Sequence, residues 1–159
     1  MNKGYTIRAI PAGGAGVPAA LALVRRVFME FEAPDYTEEG VREFMDFIAP
    51  EAVAQKMTGG QLLLWGCFEG EKIIGIIATR APGHIALLFV DKEYHRRGIA
   101  KALCNTAAAF GRQQNACDKI TVNSSPYAVP AYRGMGFTET AEELTVNGLR
   151  FTPMEKPLV

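Results

Sequence analysis

The chain has 159 residues, of which 48% are hydrophobic and 21% charged, and this composition fits one globular domain over residues 1–159. Lys and Arg number 17, as do Asp and Glu, so the chain lacks the positive charge of a general nucleic-acid binder. Cys67, Cys104 and Cys117 are odd in number and have no metal-binding spacing, which argues against a disulfide framework and favours the reducing cytoplasm.

Residues 9–24 are nearly uncharged and need comparison with a secretory signal. Pro11 and Pro18 interrupt this stretch and Arg25 follows it, so a strand, a loop and a helix start are expected instead. No segment approaches the roughly 20 apolar residues that cross a bilayer, and no membrane partner is predicted.

The N-terminal third is predicted to hold one strand followed by helices. Residues 5–10 alternate like a strand, and residues 19–31 repeat apolar side chains at helical spacing. Asp35 or Thr37 is a candidate cap for a second helix. Pro50 is expected to split that helix, because proline lacks the amide donor.

The remainder is predicted to hold strands first and then alternating helices and strands. Strands are predicted at residues 61–68, 73–79, 84–90 and 119–123, with turns at 69–72 and 81–83. Helices are predicted at 98–114 and 129–134, then a strand from Gly136 and a hairpin over 143–155 that turns at Asn147-Gly148. The strand–helix–strand unit at residues 84–123 predicts one parallel pair in a mostly antiparallel sheet.

A basic, glycine-containing loop leads directly into the long helix. It reads Asp91-Lys92-Glu93-Tyr94-His95-Arg96-Arg97-Gly98-Ile99-Ala100-Lys101. The first backbone N–H groups of a helix attract anions, and Gly98 lets the backbone approach a phosphate. The loop lacks the Gly-Lys-Ser/Thr ending of a nucleotide P-loop and the three spaced glycines of a dinucleotide fingerprint, so the residues alone predict either a phosphate site or a solvated basic loop.

Residues 95–100 resemble the Gln/Arg-x-x-Gly-x-Gly/Ala signature of the GNAT superfamily of acyl-CoA-dependent N-acyltransferases, which cradles the pyrophosphate of coenzyme A. His95 stands where that signature has Gln or Arg, although histidine also donates hydrogen bonds. Asn123 ends the strand after the crossover helix, as in many members, and residues 131–137 resemble the family's Tyr-x-x-x-Gly-Phe segment. The resemblance covers residues 6–155.

The resemblance implies an α+β fold, an α/β/α sandwich with a mixed, mostly antiparallel sheet of about seven strands, one splayed parallel pair and about four flanking helices. It implies acetyl-CoA as the cosubstrate. The residues expected to bind acetyl-CoA are Leu88, Phe89 and Val90 at the acyl and pantetheine portions, Asn123 at the pantetheine arm, and His95, Arg96, Arg97, Gly98, Ile99, Ala100 and Lys101 at the pyrophosphate.

The resemblance also implies a proton donor and suggests a proton acceptor. Tyr132 matches the family's general acid, which protonates the departing thiolate; the alternative is a tyrosine that packs a short helix on the sheet. His84 stands where some members have a glutamate base, and the reference pKa of histidine, about 6.5, suits that role. Glu30, Glu32 or a chain of waters are the alternatives.

The acceptor cleft of the family lies between the first two helices, which makes Phe28, Glu32 and Tyr36 candidate substrate contacts. Eight acidic residues and one basic residue lie from Phe28 through Glu51, which suits a cationic amine. Charged solvent faces and core packing are the alternatives.

The predicted function is therefore acetyl transfer to a primary amine of a small molecule or peptide, with no metal. A catalytically silent acyl-CoA sensor and a nucleotide-phosphate binder of another class are the alternatives. The resemblance to this family, together with the apolar C-terminal strands, favours a homodimer.

Overall fold

A computed structural model of the chain describes residues 4–80, 83–114 and 117–158. Within these ranges lie eight strands: β1 (Tyr5–Ile10), β2 (Leu63–Glu69), β3 (Lys72–Arg80), β4 (His84–Val90), β5 (Lys119–Ser124), β6 (Thr138–Glu139), β7 (Leu144–Val146) and β8 (Leu149–Pro157). The α-helices are α1 (Gly16–Phe31), α2 (Glu38–Phe47), α3 (Pro50–Thr58), α4 (Ile99–Gln113) and α5 (Val129–Gly134). The turn predicted at 81–83 includes Ala81 and Pro82, which lie outside the described residues.

The strands form one mixed sheet in the order β1-β2-β3-β4-β5-β8-β6, and β7 pairs with β8. Every pairing is antiparallel except that of β4 with β5, which α4 connects. The predicted mixed sheet with one parallel pair is therefore confirmed. The helix that Pro50 was expected to split is indeed two helices, α2 and α3, which accounts for the extra helix.

Helices cover both faces of the sheet, so the buried strand residues belong to two separate hydrophobic cores. The helices α1, α2 and α3 share one core with Ile76 and Leu87. The helices α4 and α5 share the other with Ile77 and Ile120. The consecutive residues Ile76 and Ile77 lie in opposite cores because successive side chains of a strand point to opposite faces. The α/β/α sandwich is confirmed.

The parallel pair separates soon after it begins. Its register consists of two residue pairs, His84↔Thr121 and Ile85↔Val122. At this point β4 also contains one extra residue, Ala86, relative to β3. Beyond Ile85, the β4 edge that faces β5 has no strand partner among the described residues, and a cleft opens between the two strands. The predicted splay is confirmed.

The N-terminus of α4 is seated directly on the sheet. Gly75 of β3 makes this close approach possible, because an added Cβ would lie 3.0 Å from Ile99 Cγ2 and 3.2 Å from Leu103 Cδ1. The loop that precedes α4 is thereby fixed relative to β3 and β4.

The β7–β8 hairpin folds back onto the start of α2. Its two turn residues, Asn147 and Gly148, have φ of 53° and 80°, as a type I′ turn requires. A Cβ on Gly148 would lie only 2.5 Å from the Gly40 nitrogen, so the two backbones are in direct contact. Arg150 Nη1 also donates to the carbonyl oxygen of Asp35 at 3.2 Å. The hairpin therefore covers one end of the cleft.

In the described part of the chain, no helix is both long enough and apolar enough to span a bilayer.

Candidate active site

The loop before α4 presents free backbone N–H groups at the helix N-terminus. Arg96 and Gly98 both have positive φ, 63° and 79°, which turns the chain sharply into the helix. Gly98 occupies the N-cap position, and no described atom beyond its two chain neighbours lies within 4 Å of the place where its Cβ would stand. The N–H of Ala102 donates to the Gly98 carbonyl oxygen at 3.0 Å. The N–H groups that precede Ala102 in the first turn therefore have no helical partner, and they suit an anion.

Two side-chain contacts hold this loop in place. Asp91 forms an ion pair with Arg26 at 3.1 Å. His95 Nε2 lies 2.7 Å from the Val90 carbonyl oxygen, and since a carbonyl only accepts, the ring nitrogen donates. His95, the residue that departs from the family signature, thus ties the loop to the end of β4.

A cavity of about 450 Å³, here called the loop cavity, runs from this loop along β4 to α5. Nine of the eleven residues predicted to bind the cofactor line it: Leu88, Phe89, Val90, His95, Arg96, Gly98, Ile99, Ala100 and Lys101. The other two lie elsewhere. Arg97 Nη1 donates to the Tyr5 hydroxyl at 2.8 Å, which holds its side chain away from the cavity. Asn123 lines a different cavity.

That second cavity, here called the hairpin cavity, has a volume of about 380 Å³ and lies beneath the β7–β8 hairpin. Its aromatic lining residues are Tyr36, Phe44, Phe47, Phe89, Tyr132 and Phe151. Its titratable lining residues other than tyrosine are Glu32, Glu43, Arg80, His84 and Arg150. Arg150 is engaged by Glu143 at 3.0 Å. The cavity therefore combines an apolar wall with a few charged groups, as ligand pockets commonly do.

The two cavities meet at five residues, here called the junction. They are Glu32, Leu88, Phe89, Ala128 and Tyr132, each of which lines both cavities. They come from the C-terminal end of α1, the C-terminal half of β4, and α5 with the residue before it. Within the junction, only the Glu32 carboxyl and the Tyr132 phenol can exchange a proton with a bound molecule.

The Tyr132 side chain is buried on α5 and packs edge-on against Phe137, with ring centroids 5.2 Å apart. Burial, together with the neighbouring Cys104 and Glu32, raises the pKa of the Tyr132 phenol well above its ordinary value. The phenol is therefore protonated at neutral pH and is available as a proton donor.

The Glu32 carboxyl, unlike the phenol, can accept a proton at neutral pH. The pKa of Glu32 is raised to about 7: burial is the largest cause, the charge of Asp35 adds to the rise, and Ser125 partly offsets it. The Ser125 hydroxyl oxygen accepts the N–H of Ala128 at 3.2 Å, which leaves the hydroxyl proton free for Glu32. Glu32 forms no ion pair with a described Lys, Arg or His side chain.

His84 lies away from the junction. It is the first residue of β4, four residues before Leu88, which corresponds to about 13 Å along a strand. Its Nδ1 is 2.8 Å from Thr121 Oγ1. Burial and the nearby Arg80 lower the pKa of His84 to about 4, so the ring is neutral and weakly basic at pH 7. Position and basicity both argue against the predicted base role.

The predicted substrate residues divide into two groups. Glu32 and Tyr36 line the hairpin cavity, whereas Phe28 is fully buried and lines neither cavity. Phe28 stacks on Phe44, a lining residue of the hairpin cavity, with ring centroids 3.9 Å apart. It therefore supports the cavity wall without contacting the cavity itself. The structure thus corrects its assignment as a substrate contact.

The acidic stretch makes little direct contact with the cavity. Of its eight acidic residues, only Glu32 and Glu43 line the hairpin cavity. Glu30 pairs with Lys92 at 3.2 Å on the surface. Because most of these residues lie elsewhere, their number alone does not support a cationic acceptor.

Several lining residues were not identified from the sequence. Arg80, Ser125, Asn147 and Arg150 line the hairpin cavity from segments that lie far apart along the chain. The Asn147-Gly148 turn signal identified the hairpin but not its contact with α2. Among the described residues, no three His, Cys, Asp or Glu side chains cluster as metal ligands would.

Comparison with known proteins gives consistent results. A family model described as an acetyltransferase (GNAT) domain matches residues 32–158. Human N-acetyltransferase 8 is 33% identical over 91 residues, which cover 49% of this chain and 39% of that protein. The chain thus spans about two fifths of the length of the curated relatives that it matches.

Solved structures share the fold at low sequence identity. A GCN5-related N-acetyltransferase from Rhodopseudomonas palustris matches with a TM-score of 0.79 and 18% identity, over 96% of this chain and 95% of that one. The PaiA N-acetyltransferase from Thermoplasma acidophilum, solved in complex with coenzyme A, matches with a TM-score of 0.77 and 18% identity, over 96% and 98%. With the family model covering most of its length and the fold in agreement, the chain belongs to the GNAT acetyltransferase family.

Proposed function

We propose that this protein transfers an acetyl group from acetyl-CoA to a primary amine of a small molecule or peptide, by direct attack in a ternary complex. The observation that carries the proposal is the junction: two cavities of ligand size share one wall, and that wall contains a protonated phenol. A donor and an acceptor that enter from opposite sides would meet there. Holding both reactants together supplies much of the acceleration of such a reaction.

The loop cavity is the proposed site for acetyl-CoA. The free N–H groups at the start of α4 would receive the pyrophosphate, with Arg96 and Lys101 adding positive charge. The pantetheine arm would lie along residues 88–90, where the splayed edge of β4 offers backbone groups. The coenzyme A bound to the Thermoplasma acidophilum relative supports an acyl-CoA ligand.

The hairpin cavity is the proposed site for the amine. The thioester carbonyl would lie at Leu88 and Phe89, where a backbone N–H of β4 would stabilise the oxyanion. The amine nitrogen attacks the carbonyl carbon, the carbon–sulfur bond breaks, and the Tyr132 hydroxyl protonates the leaving thiolate. The attacking nitrogen, positively charged after the attack, then gives one proton to the phenolate, which restores Tyr132.

The test is a thiol-release assay with acetyl-CoA and a panel of primary amines, namely an arylalkylamine, a linear diamine and a peptide with a free N-terminus. Amine-dependent thiol release, together with the N-acetyl product detected by mass spectrometry, is the expected result. Binding of acetyl-CoA without release for any amine would instead support the acyl-CoA sensor.

The homodimer stays a prediction. In the described structure, β7 leaves Leu144 and Val146 44% and 50% exposed, and these side chains are available for an interface. Light scattering of the purified chain would measure its mass in solution, and the mass of one chain would contradict the prediction.

A further inference from the structure

We propose that Glu32, rather than His84, is the general base that takes a proton from the acceptor amine. This inference rests on the proposed acetyl transfer and assigns the proton acceptor within it. The assignment follows first from position. Glu32 is the only carboxylate at the junction, where it shares the two cavity walls with Tyr132. One junction side chain can therefore accept a proton while the other donates one.

The surroundings hold the Glu32 carboxyl in place without neutralising it. Glu32 ends α1, and its backbone N–H donates to the Phe28 carbonyl oxygen at 2.9 Å, which anchors the residue. Ser125, whose hydroxyl oxygen accepts the N–H of Ala128, lies beside the carboxyl and partly offsets the rise in its pKa. A base without a cationic partner keeps its affinity for a proton.

The described titratable groups next to Glu32 give its carboxylate no positively charged partner that would lower its pKa. Asp35 and Tyr36 follow it in the chain, and Tyr132 faces it from α5; none of them carries a positive charge. The cation near this group, Arg150, is paired with Glu143 and donates to the Asp35 carbonyl oxygen. The pKa of Glu32, raised to about 7 chiefly by burial, lies near the operating pH, where a general base is most effective.

The proton balance of the step is complete. The acceptor enters as an ammonium ion, and a Glu32 carboxylate oxygen takes one of its protons, which leaves the neutral amine that attacks the thioester. Tyr132 supplies the thiolate proton and regains one from the acylated nitrogen. The proton on Glu32 then passes to solvent, so each turnover releases one proton.

Glu32→Gln is the decisive variant because it keeps the size of the side chain and removes the basic oxygen. We expect its kcat to fall by about 10²- to 10⁴-fold, the usual contribution of general acid–base catalysis. The calorimetric Kd for acetyl-CoA should change less than about twofold, because the pyrophosphate site lies at the opposite end of the loop cavity. Glu71→Gln is the matched control: it makes the same chemical change at an exposed carboxylate in the β2–β3 turn, outside both cavities, and should retain activity.

The pH dependence separates a base from a positioning residue. Wild-type kcat should rise with pH through an apparent pKa near 7. Glu32→Gln should lose this rise, while His84→Gln should keep it. Formate added to Glu32→Ala should restore several-fold turnover in the same amine assay, because a small carboxylate can then occupy the vacant space.

An independent titration completes the test. Carbon-13 NMR of protein labelled at the glutamate carboxyl, with Glu32→Gln to assign the signal, reports the protonation of Glu32 without any acceptor. A midpoint near the ordinary glutamate value, or a pH profile unchanged in Glu32→Gln, would overturn the proposal while wild-type turnover remained intact. Absence of amine-dependent turnover in the wild type would instead overturn the proposed function, and the base assignment with it.

Discussion

The loop cavity and the hairpin cavity are built in different ways. The loop cavity is lined largely by one contiguous segment, residues 88–101, and the groups proposed to bind the pyrophosphate there are backbone N–H groups at the start of α4. The hairpin cavity is lined by residues from the end of α1, from α2, from β4 and β5, from α5 and from the hairpin. A local backbone site tolerates changes of side chain, as the His95 position illustrates. A site assembled from distant side chains changes with each of them.

This difference predicts separate effects on the two ligands. Changes in the loop should alter binding of acetyl-CoA, and changes in the hairpin cavity should alter recognition of the amine. Changes to the two proton-transfer side chains of the junction, Glu32 and Tyr132, should alter chiefly the chemical step.

The largest expected effect, comparable to that of Glu32→Gln, comes from the other proton-transfer group of the junction. Tyr132→Phe keeps the ring that packs on Phe137 and removes the proton donor. We expect kcat to fall by about 10²-fold or more, because the thiolate then leaves unprotonated. Calorimetry should find the Kd for acetyl-CoA within about twofold of wild type. A kcat equal to that of wild type would remove Tyr132 from the mechanism.

The next effect should be confined to the cofactor. Gly98→Ala places a methyl group where the phosphate is proposed to lie and strains a backbone with φ of 79°. We expect the Kd for acetyl-CoA to rise about tenfold, equivalent to about 1.4 kcal/mol. Gly60→Ala is the matched control, since Gly60 has φ of 74° and equally open surroundings but lines neither cavity. Equal losses of affinity in both variants would contradict the proposed phosphate site.

A smaller effect should be confined to the amine. Glu43→Gln removes a charge from the hairpin cavity, and we expect a few-fold rise in KM for a cationic amine, typical of a partly exposed ionic contact. Asp46→Asn, on the same helix but outside the cavity, should leave KM unchanged. A changed Kd for acetyl-CoA in Glu43→Gln would mean that the two cavities are not separate in function.

The last effect is on stability rather than on a ligand or on the chemical step, and it has the opposite sign. Because folding raises the pKa of Glu32 from 4.5 to about 7, the folded chain loses stability as pH rises between these values. Glu32→Gln lacks this loss, so its stability should exceed that of wild type by on the order of 1–3 kcal/mol at pH 8, and by less at pH 5. Thermal unfolding at both pH values measures the difference. A destabilised variant at pH 8 would contradict a carboxylate whose pKa partial burial raises at this position.

The two regions also differ in how much the sequence predicts. The order of elements, the break at Pro50 and the loop of residues 95–101 depend on local patterns, and the structure agrees with them. Thr37 caps α2, with its Oγ1 accepting the Gly40 N–H at 3.3 Å, as one of the two predicted caps.

The acceptor side could not be predicted in the same way. Asn123 was expected beside the cofactor but lines the hairpin cavity, because the splay of β4 from β5 separates the two strands at that point. His84 was expected to be a base, but its depth in the cleft and the neighbouring Arg80 lower its pKa. The raised pKa of Glu32 depends on burial beside Ser125, which lies 93 positions away in the chain. No local pattern contains that contact.

The most direct test of the central claim is calorimetric titration of the wild-type chain with acetyl-CoA, with CoA and ATP titrated separately. Micromolar binding of acetyl-CoA and CoA, weakened in Gly98→Ala and unchanged in Gly60→Ala, with no binding of ATP, is the predicted result. Absence of binding for both acetyl-CoA and CoA would contradict an acetyl-CoA site in the loop cavity, and with it the proposed transfer at the junction.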